Sequence, residues 1–182
     1  VYKPCIGSTV GYLMELLKAA YGENISDAET LRTRMYAKKE EIVQKDGFPQ
    51  IPGVKEAIKR LHDEGFRLEV ASSSAGYYIG RVLDALEIRQ YFECYTSGEE
   101  VDHPKPAPDT FVRAMEKLKL KPEDCLIVED STNGGKAAAA AGTKCVWFHN
   151  PDSGDQQIPH AVLEIASWSQ ENVEKIIELM KQ

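Results

Sequence analysis

Cys125-Leu126-Ile127-Val128-Glu129-Asp130-Ser131-Thr132-Asn133-Gly134-Gly135 is the stretch that decides the fold. An unbroken apolar run suits a strand buried on both faces of a parallel sheet. It stops on two adjacent carboxylates, and Asn133-Gly134-Gly135 then reads as ordinary turn chemistry. Downstream, Ala137 to Ala141 makes a small-residue helix closed by Gly142. Cys145 to Phe148 and Val162 to Ile165 read as strands. A last helix carries Val173, Ile176, Ile177 and Met180, with Ser169 as its N-cap. Upstream lie a helix with Phe111, Val112, Met115 and Leu118, a short strand near Phe92 to Tyr95, and a helix with Ile79, Val82, Leu83 and Leu86. Before these come a strand from Phe66 to Ala71 and a helix with Val54, Ala57, Ile58 and Leu61, stopped by Gly65. Alternating strand and helix predicts an α/β domain with a parallel sheet covered by helices on both faces.

The first quarter of the chain differs. Val10, Leu13, Met14 and Leu17 repeat at helix spacing up to Gly22, and Ser26 with Glu29 has the capping-box pattern. Leu31, Met35, Ile42 and Val43 give a second helix only a sparse apolar stripe. Two prolines and two glycines between Asp46 and Gly53 then break the chain. This divides it into a partial helical unit, 1–47, and an α/β core, 48–182.

With 182 residues, 42% of them hydrophobic, the chain can bury one core plus a small appendage. Lys and Arg number 22 against 29 Asp and Glu, a net charge of -7 without a basic cluster, so no nucleic-acid partner is expected. An anionic substrate would be repelled at long range and must be held locally. No run approaches the roughly 20 apolar residues of a membrane span. No signal peptide is visible, although the first residue is Val1 rather than Met. Cys5, Cys94, Cys125 and Cys145 lack metal-ligand spacing and read as free thiols of a reducing, cytoplasmic compartment. A monomer or weak dimer is expected.

Open parallel sheets place ligands beyond the carboxyl ends of their strands. Three polar groups follow strands here: Ser72-Ser73-Ser74, Lys105-Pro106-Ala107-Pro108-Asp109, and Glu129-Asp130. Adjacent carboxylates can hold a hard divalent cation such as Mg²⁺. Hydroxyls and backbone N–H groups bind phosphate oxygens, and a lysine adds a positive point charge. Together they suit a phosphoryl group in transfer.

Leu68-Glu69-Val70-Ala71-Ser72-Ser73-Ser74, Lys105-Pro106-Ala107-Pro108-Asp109 and Leu126-Ile127-Val128-Glu129-Asp130-Ser131 closely resemble motifs II, III and IV of haloacid-dehalogenase-like hydrolases, with a Rossmann-like core. The nearest likeness is to the β-phosphoglucomutase and sugar-phosphatase branch, which carries a helical cap. The resemblance implies that Ser72 binds the transferring phosphoryl group, with a Ser73 backbone N–H beside it. It implies that Lys105 neutralises nucleophile and phosphoryl charge, that Asp130 is a metal ligand, and that Glu129 supports the Mg²⁺. Gly7, Ser8 and Thr9 resemble the cap loop that selects the substrate.

The family's motif I, an apolar strand ending in Asp-x-Asp-Gly, has no match. The single Asp-Gly, Asp46-Gly47, follows a polar helix end. The nucleophile is therefore expected on a segment upstream of Val1, and without it the central strand of the sheet would be missing. The expected function is a Mg²⁺-dependent phosphatase acting on a small phosphorylated metabolite, most simply a sugar phosphate, through a phosphoaspartate. A sugar phosphomutase is the alternative enzyme, although Ala75-Gly76-Tyr77 stands where a mutase would carry a lysine-asparagine pair. A catalytically inactive, binding-only homologue is the non-enzymatic alternative. A metal-free dehalogenase fits the paired acids poorly, and no Gly-x-Gly-x-x-Gly supports a nucleotide-binding module.

Overall fold

The computed structural model describes residues 6–22 and 28–181. Cys5 and the capping box read at Ser26 lie outside them. Two helices come first, α1 (Val10–Tyr21) and α2 (Ala28–Asp46). Thr9 caps α1, its hydroxyl accepting from the Tyr12 N–H at 3.3 Å. There follow α3 (Val54–Asp63), β1 (Glu69–Ser72), α4 (Gly76–Ala85), β2 (Cys94–Ser97) and α5 (Asp109–Leu118). The chain continues through β3 (Leu126–Glu129), α6 (Thr132–Ala140), β4 (Lys144–Phe148), β5 (Leu163–Ile165) and α7 (Gln170–Met180).

All strand pairs are parallel. β1 pairs with β2, Glu69 opposite Cys94, and β3, β4 and β5 form a separate ladder in that order. Strand alternation sorts apolar side chains to opposite faces. Cys145 and Trp147 pack with Phe111 and Met115 of α5 and with Ala137 and Ala138 of α6. Val146 and Phe148 turn the other way, to Ile176 of α7 and Leu61 of α3. On that same side α4 packs Ile79 and Leu83 against Val70 and Tyr95. Helices cover both faces, as the alternation of elements predicts.

Three local readings need correction. β1 begins at Glu69 rather than Phe66. Asn133-Gly134-Gly135 is not a turn: Ser131 caps a helix that starts at Thr132, its hydroxyl accepting from the Gly134 N–H at 3.0 Å. β3 is not buried on both faces, since Val128 is 36% exposed at mid-strand. The reason is an open edge. β1 and β3 do not pair with each other, and a cavity of about 470 Å³ separates them, lined by Glu69, Ala71, Ile127, Val128, Met115 and Ile176 among others. The Leu68 carbonyl accepts from the Glu93 N–H at 2.9 Å and so faces β2. Alternation then turns the backbone groups of Glu69 and Ala71 toward the slot.

Candidate active site

The ends of β1 and β3 are joined by one side chain. Lys105, 4% exposed, donates from Nζ to the Ala71 carbonyl at 3.0 Å and to Glu129 Oε1 at 2.5 Å. Its ammonium also lies 4.3 Å from the centroid of the Phe111 ring. A buried ion pair survives only when its remaining hydrogen-bonding capacity is met. Glu129 meets this condition: Oε2 accepts from Ser131 Oγ at 3.0 Å and from the N–H groups of Asp130 and Ser131 at 3.2 and 3.3 Å. Gly134 makes room for that carboxylate, because a Cβ there would fall 2.0 Å from its carboxyl carbon.

Asp130 faces a different environment. Its Oδ2 accepts from Asn150 and Ser153, and Oδ1 accepts no hydrogen bond from the described residues. Among those residues no three His, Cys, Asp or Glu side chains converge as a complete metal-ligand set. Glu129 and Asp130 do suit part of one, since Mg²⁺ takes hard oxygen donors and commonly binds one or two carboxylates plus phosphate and water. The Oδ1 of Asp130, which accepts no hydrogen bond from the described residues, is the oxygen that could take a cation directly.

The serines close the site on its other side. Ser72 Oγ accepts from the Ser74 N–H at 3.2 Å, and Ser97 Oγ donates to the Ser74 carbonyl at 2.7 Å. Ser73 Oγ donates to the Gly7 carbonyl at 2.9 Å, which ties the loop before α1 to the end of β1. That loop has two more anchors. Ser8 Oγ donates to the Lys105 carbonyl at 3.4 Å, and Asn133 Nδ2 donates to the Ile6 carbonyl at 3.0 Å and to Ser8 Oγ at 2.9 Å. Gly7 has φ 76°, and a Cβ there would meet Ser131 Oγ at 2.1 Å, so the loop lies directly on the first turn of α6. Beneath the α1–α2 pair is a cavity of about 1030 Å³, lined by Ser8, Thr9, Met35, Lys39, Ser73 and Tyr78 among others.

The structure thus gathers Ser72, Ser73, Lys105, Glu129, Asp130, Gly7 and Ser8 at one edge of the sheet. Thr9 borders the cavity while its oxygen caps α1. The sequence reading missed Ser131, Asn133, Asn150 and Ser153. Ser131 carried a signal, since a serine directly before the first residue of a helix is an N-cap pattern. The free thiols are not part of the chemistry: burial pushes Cys145 up to about 12 and Cys94 up to about 11.

An open parallel sheet with lysine, serine and acidic groups at one strand edge defines the class. The match to a family model places the chain within it: residues 3–148 match that of the haloacid dehalogenase-like hydrolases, and the chain belongs to this family. It is 31% identical over 157 residues to YhcW of Bacillus subtilis, covering 85% of this chain and 69% of YhcW. It is 27% identical over 158 residues to hexitol phosphatase B of Escherichia coli K12, covering 87% and 70% of the two chains. In fold it is similar to β-phosphoglucomutase of Clostridium difficile, with a TM-score of 0.77 at 21% identity over 98% of this chain and 80% of that one.

Proposed function

We propose that the protein is a Mg²⁺-dependent phosphatase acting on a small phosphorylated metabolite, most simply a sugar phosphate. The observation that carries this reading is the buried Lys105, held between the Ala71 carbonyl and Glu129 at the meeting point of two strand ends. A fixed cation in a water-poor site stabilises developing phosphoryl charge without reorganising. Ser72 Oγ and the Ser73 N–H would hold phosphoryl oxygens. Glu129 keeps Lys105 aimed, and Asp130 would hold the cation through Oδ1. Bound Mg²⁺ would neutralise phosphate charge in the ground and transition states.

The nucleophile is proposed to be an aspartate on a strand preceding Val1, seated between β1 and β3 and delivering its carboxylate beside Lys105. Attack on phosphorus would break the substrate's P–O ester bond, its oxygen leaving with the bonding pair and taking up a proton as the alcohol. It would form an aspartyl phosphate that water then cleaves to aspartate and inorganic phosphate. The slot supports this geometry: it has one unpaired parallel edge on each side, and Lys105 bonds a residue of each, Ala71 and Glu129. The α1–α2 pair would act as the cap, with Gly7 and Ser8 over the site and the large cavity beneath receiving the leaving group. Ala75-Gly76 offers no cation for a second phosphate, which favours hydrolysis over phosphomutation. Free, unreactive Cys94, Cys125 and Cys145 suit a reducing cytoplasm.

The test uses the full-length protein with a panel of sugar and polyol phosphates, with Mg²⁺ and then with EDTA. Release of inorganic phosphate is expected, abolished by EDTA and nearly abolished by Asp130→Asn. Lys105→Ala is expected to lose about 100-fold or more in kcat. Turnover undiminished by EDTA or by Asp130→Asn would remove the metal assignment.

A further inference from the structure

Asp130 is held by a scaffold that catalysis alone does not explain. Oδ2 accepts from Asn150 Nδ2 at 2.7 Å and from Ser153 Oγ at 2.6 Å. Both donors belong to the connection from β4 to β5, where Pro151–Ser153 forms a short 3₁₀ turn. Asn150 opens that turn, its Oδ1 accepting from the Asp152 N–H at 3.1 Å, so its amide is fixed at both ends. Ser153 is 7% exposed, and its carbonyl accepts from Gln156 Nε2 at 2.9 Å. Gln156 is also buried, and its Oε1 accepts from the Thr132 N–H at 2.9 Å. Thr132 Oγ1 in turn accepts from the Gln157 N–H at 2.9 Å. The connection is therefore laced to Thr132, the first residue of α6, two residues beyond Asp130.

Two neutral donors on one oxygen stop the carboxylate rotating about its Cβ–Cγ bond. Because both bonds fall on Oδ2, the lone pairs of Oδ1 are left for another partner in a fixed direction. Buried polar side chains need hydrogen-bond partners, and here Asn150 and Ser153 both find theirs on Asp130.

We propose that Asn150 and Ser153 are positioning residues for cation binding: they hold Asp130 with Oδ1 turned into the strand-end site as a one-oxygen ligand. This rests on the metal reading above. Groups that orient a metal ligand from behind are commonly worth about 10–100-fold in metal affinity. Without either donor the carboxylate can rotate, and binding weakens without any ligand being lost.

The experiment measures Mn²⁺ binding to the full-length protein from the electron paramagnetic resonance signal of the free ion, alongside thermal melting without metal. The proteins are wild type, Asn150→Ala, Ser153→Ala, Ser153→Thr and Asp130→Asn. Asn150→Ala and Ser153→Ala are expected to weaken Mn²⁺ binding about 10–100-fold while remaining folded. Ser153→Thr, which restores a hydroxyl, should recover most of the loss. A purely structural connection would lower the melting temperature and leave the Mn²⁺ affinity of the folded protein unchanged, which would overturn the proposal. Asn150, less buried than Ser153, carries the test if Ser153→Ala does not fold. A wild type that binds no Mn²⁺ would overturn the metal reading and this proposal together; wild-type binding with unaffected variants would overturn this proposal alone.

Discussion

Glu129 shows how much one side chain can depend on a neighbour with no side chain at all. Its carboxylate occupies the space where any Cβ on residue 134 would stand, and from there it reaches Lys105. Gly134→Ala should push the carboxylate aside and leave the Lys105 ammonium buried without its partner, a change costing roughly 3–5 kcal/mol. The expected outcome is a large fall in melting temperature together with loss of phosphate release; a stable and active Gly134→Ala would show that Glu129 does not hold Lys105. Glu69 makes a prediction of a different kind. Burial raises its pKa above the ordinary 4.5, and Oε2 is buried with no hydrogen-bond partner among the described residues. The folded protein therefore holds this proton more tightly than the unfolded chain. At pH below 4.5 both states are protonated and there is no cost. As pH rises through 4.5 toward the raised folded value, the unfolded state ionises first and stability falls. Glu69→Gln, which keeps an oxygen for the Thr96 hydroxyl, should flatten that fall; denaturant melts at pH 4.5 and pH 7 that lose equal stability in mutant and wild type would refute it.

At the level of elements, α6 organises the site, and its start was the part least legible in the sequence. Asn133-Gly134-Gly135 has poor helix propensity, so local chemistry favoured a turn. The glycines are explained only by contacts distant in sequence: Gly134 abuts Glu129, and a Cβ at Gly135 would fall 2.6 Å from the Ile158 side chain. Asn133 was invisible for the same reason, since its partners, the Ile6 carbonyl and Ser8 Oγ, lie more than a hundred residues away in the chain. By contrast, Ser169 at the start of α7 was legible because a cap is local: its hydroxyl accepts from the Asn172 N–H at 3.3 Å. The three strand-end groups were legible through the parallel-sheet rule, which fixes where polar residues after a strand must gather. Asn133→Ala removes the hydrogen bonds to the Ile6 carbonyl and to Ser8 Oγ, each worth about 1 kcal/mol. If that loop closes over the substrate, the KM of the full-length enzyme should rise about tenfold with little change in kcat or melting temperature. An unchanged KM would mean that the loop is held sufficiently by Ser73 and Ser8.

On the scale of the whole molecule, the controlling feature is the slot between the two parallel ladders. Helices on both faces belong to a sheet buried throughout, yet β1 and β3 each present an unpaired edge and β3 leaves Val128 partly exposed. Unpaired edges beside an apolar cavity favour pairing with further chain; each ladder is parallel within itself and Lys105 joins the carboxyl-end residues Ala71 and Glu129, so an inserted strand would complete one continuous sheet. The residues at the carboxyl ends of β1 and β3, Lys105 and Asp130, are those proposed above to meet the nucleophile and the cation. A strand inserted there would pair with the Glu69 and Ala71 backbone groups, whereas Val70 already faces β2. Hydrogen exchange on the full-length protein tests this at single amides: Glu69 and Ala71 should be protected as strongly as Val70, because all three would open only when the central sheet opens. Fast exchange at Glu69 and Ala71 beside a slow Val70 would mean that solvent, not a strand, fills the slot. The nucleophile would then have to reach Lys105 from outside the sheet.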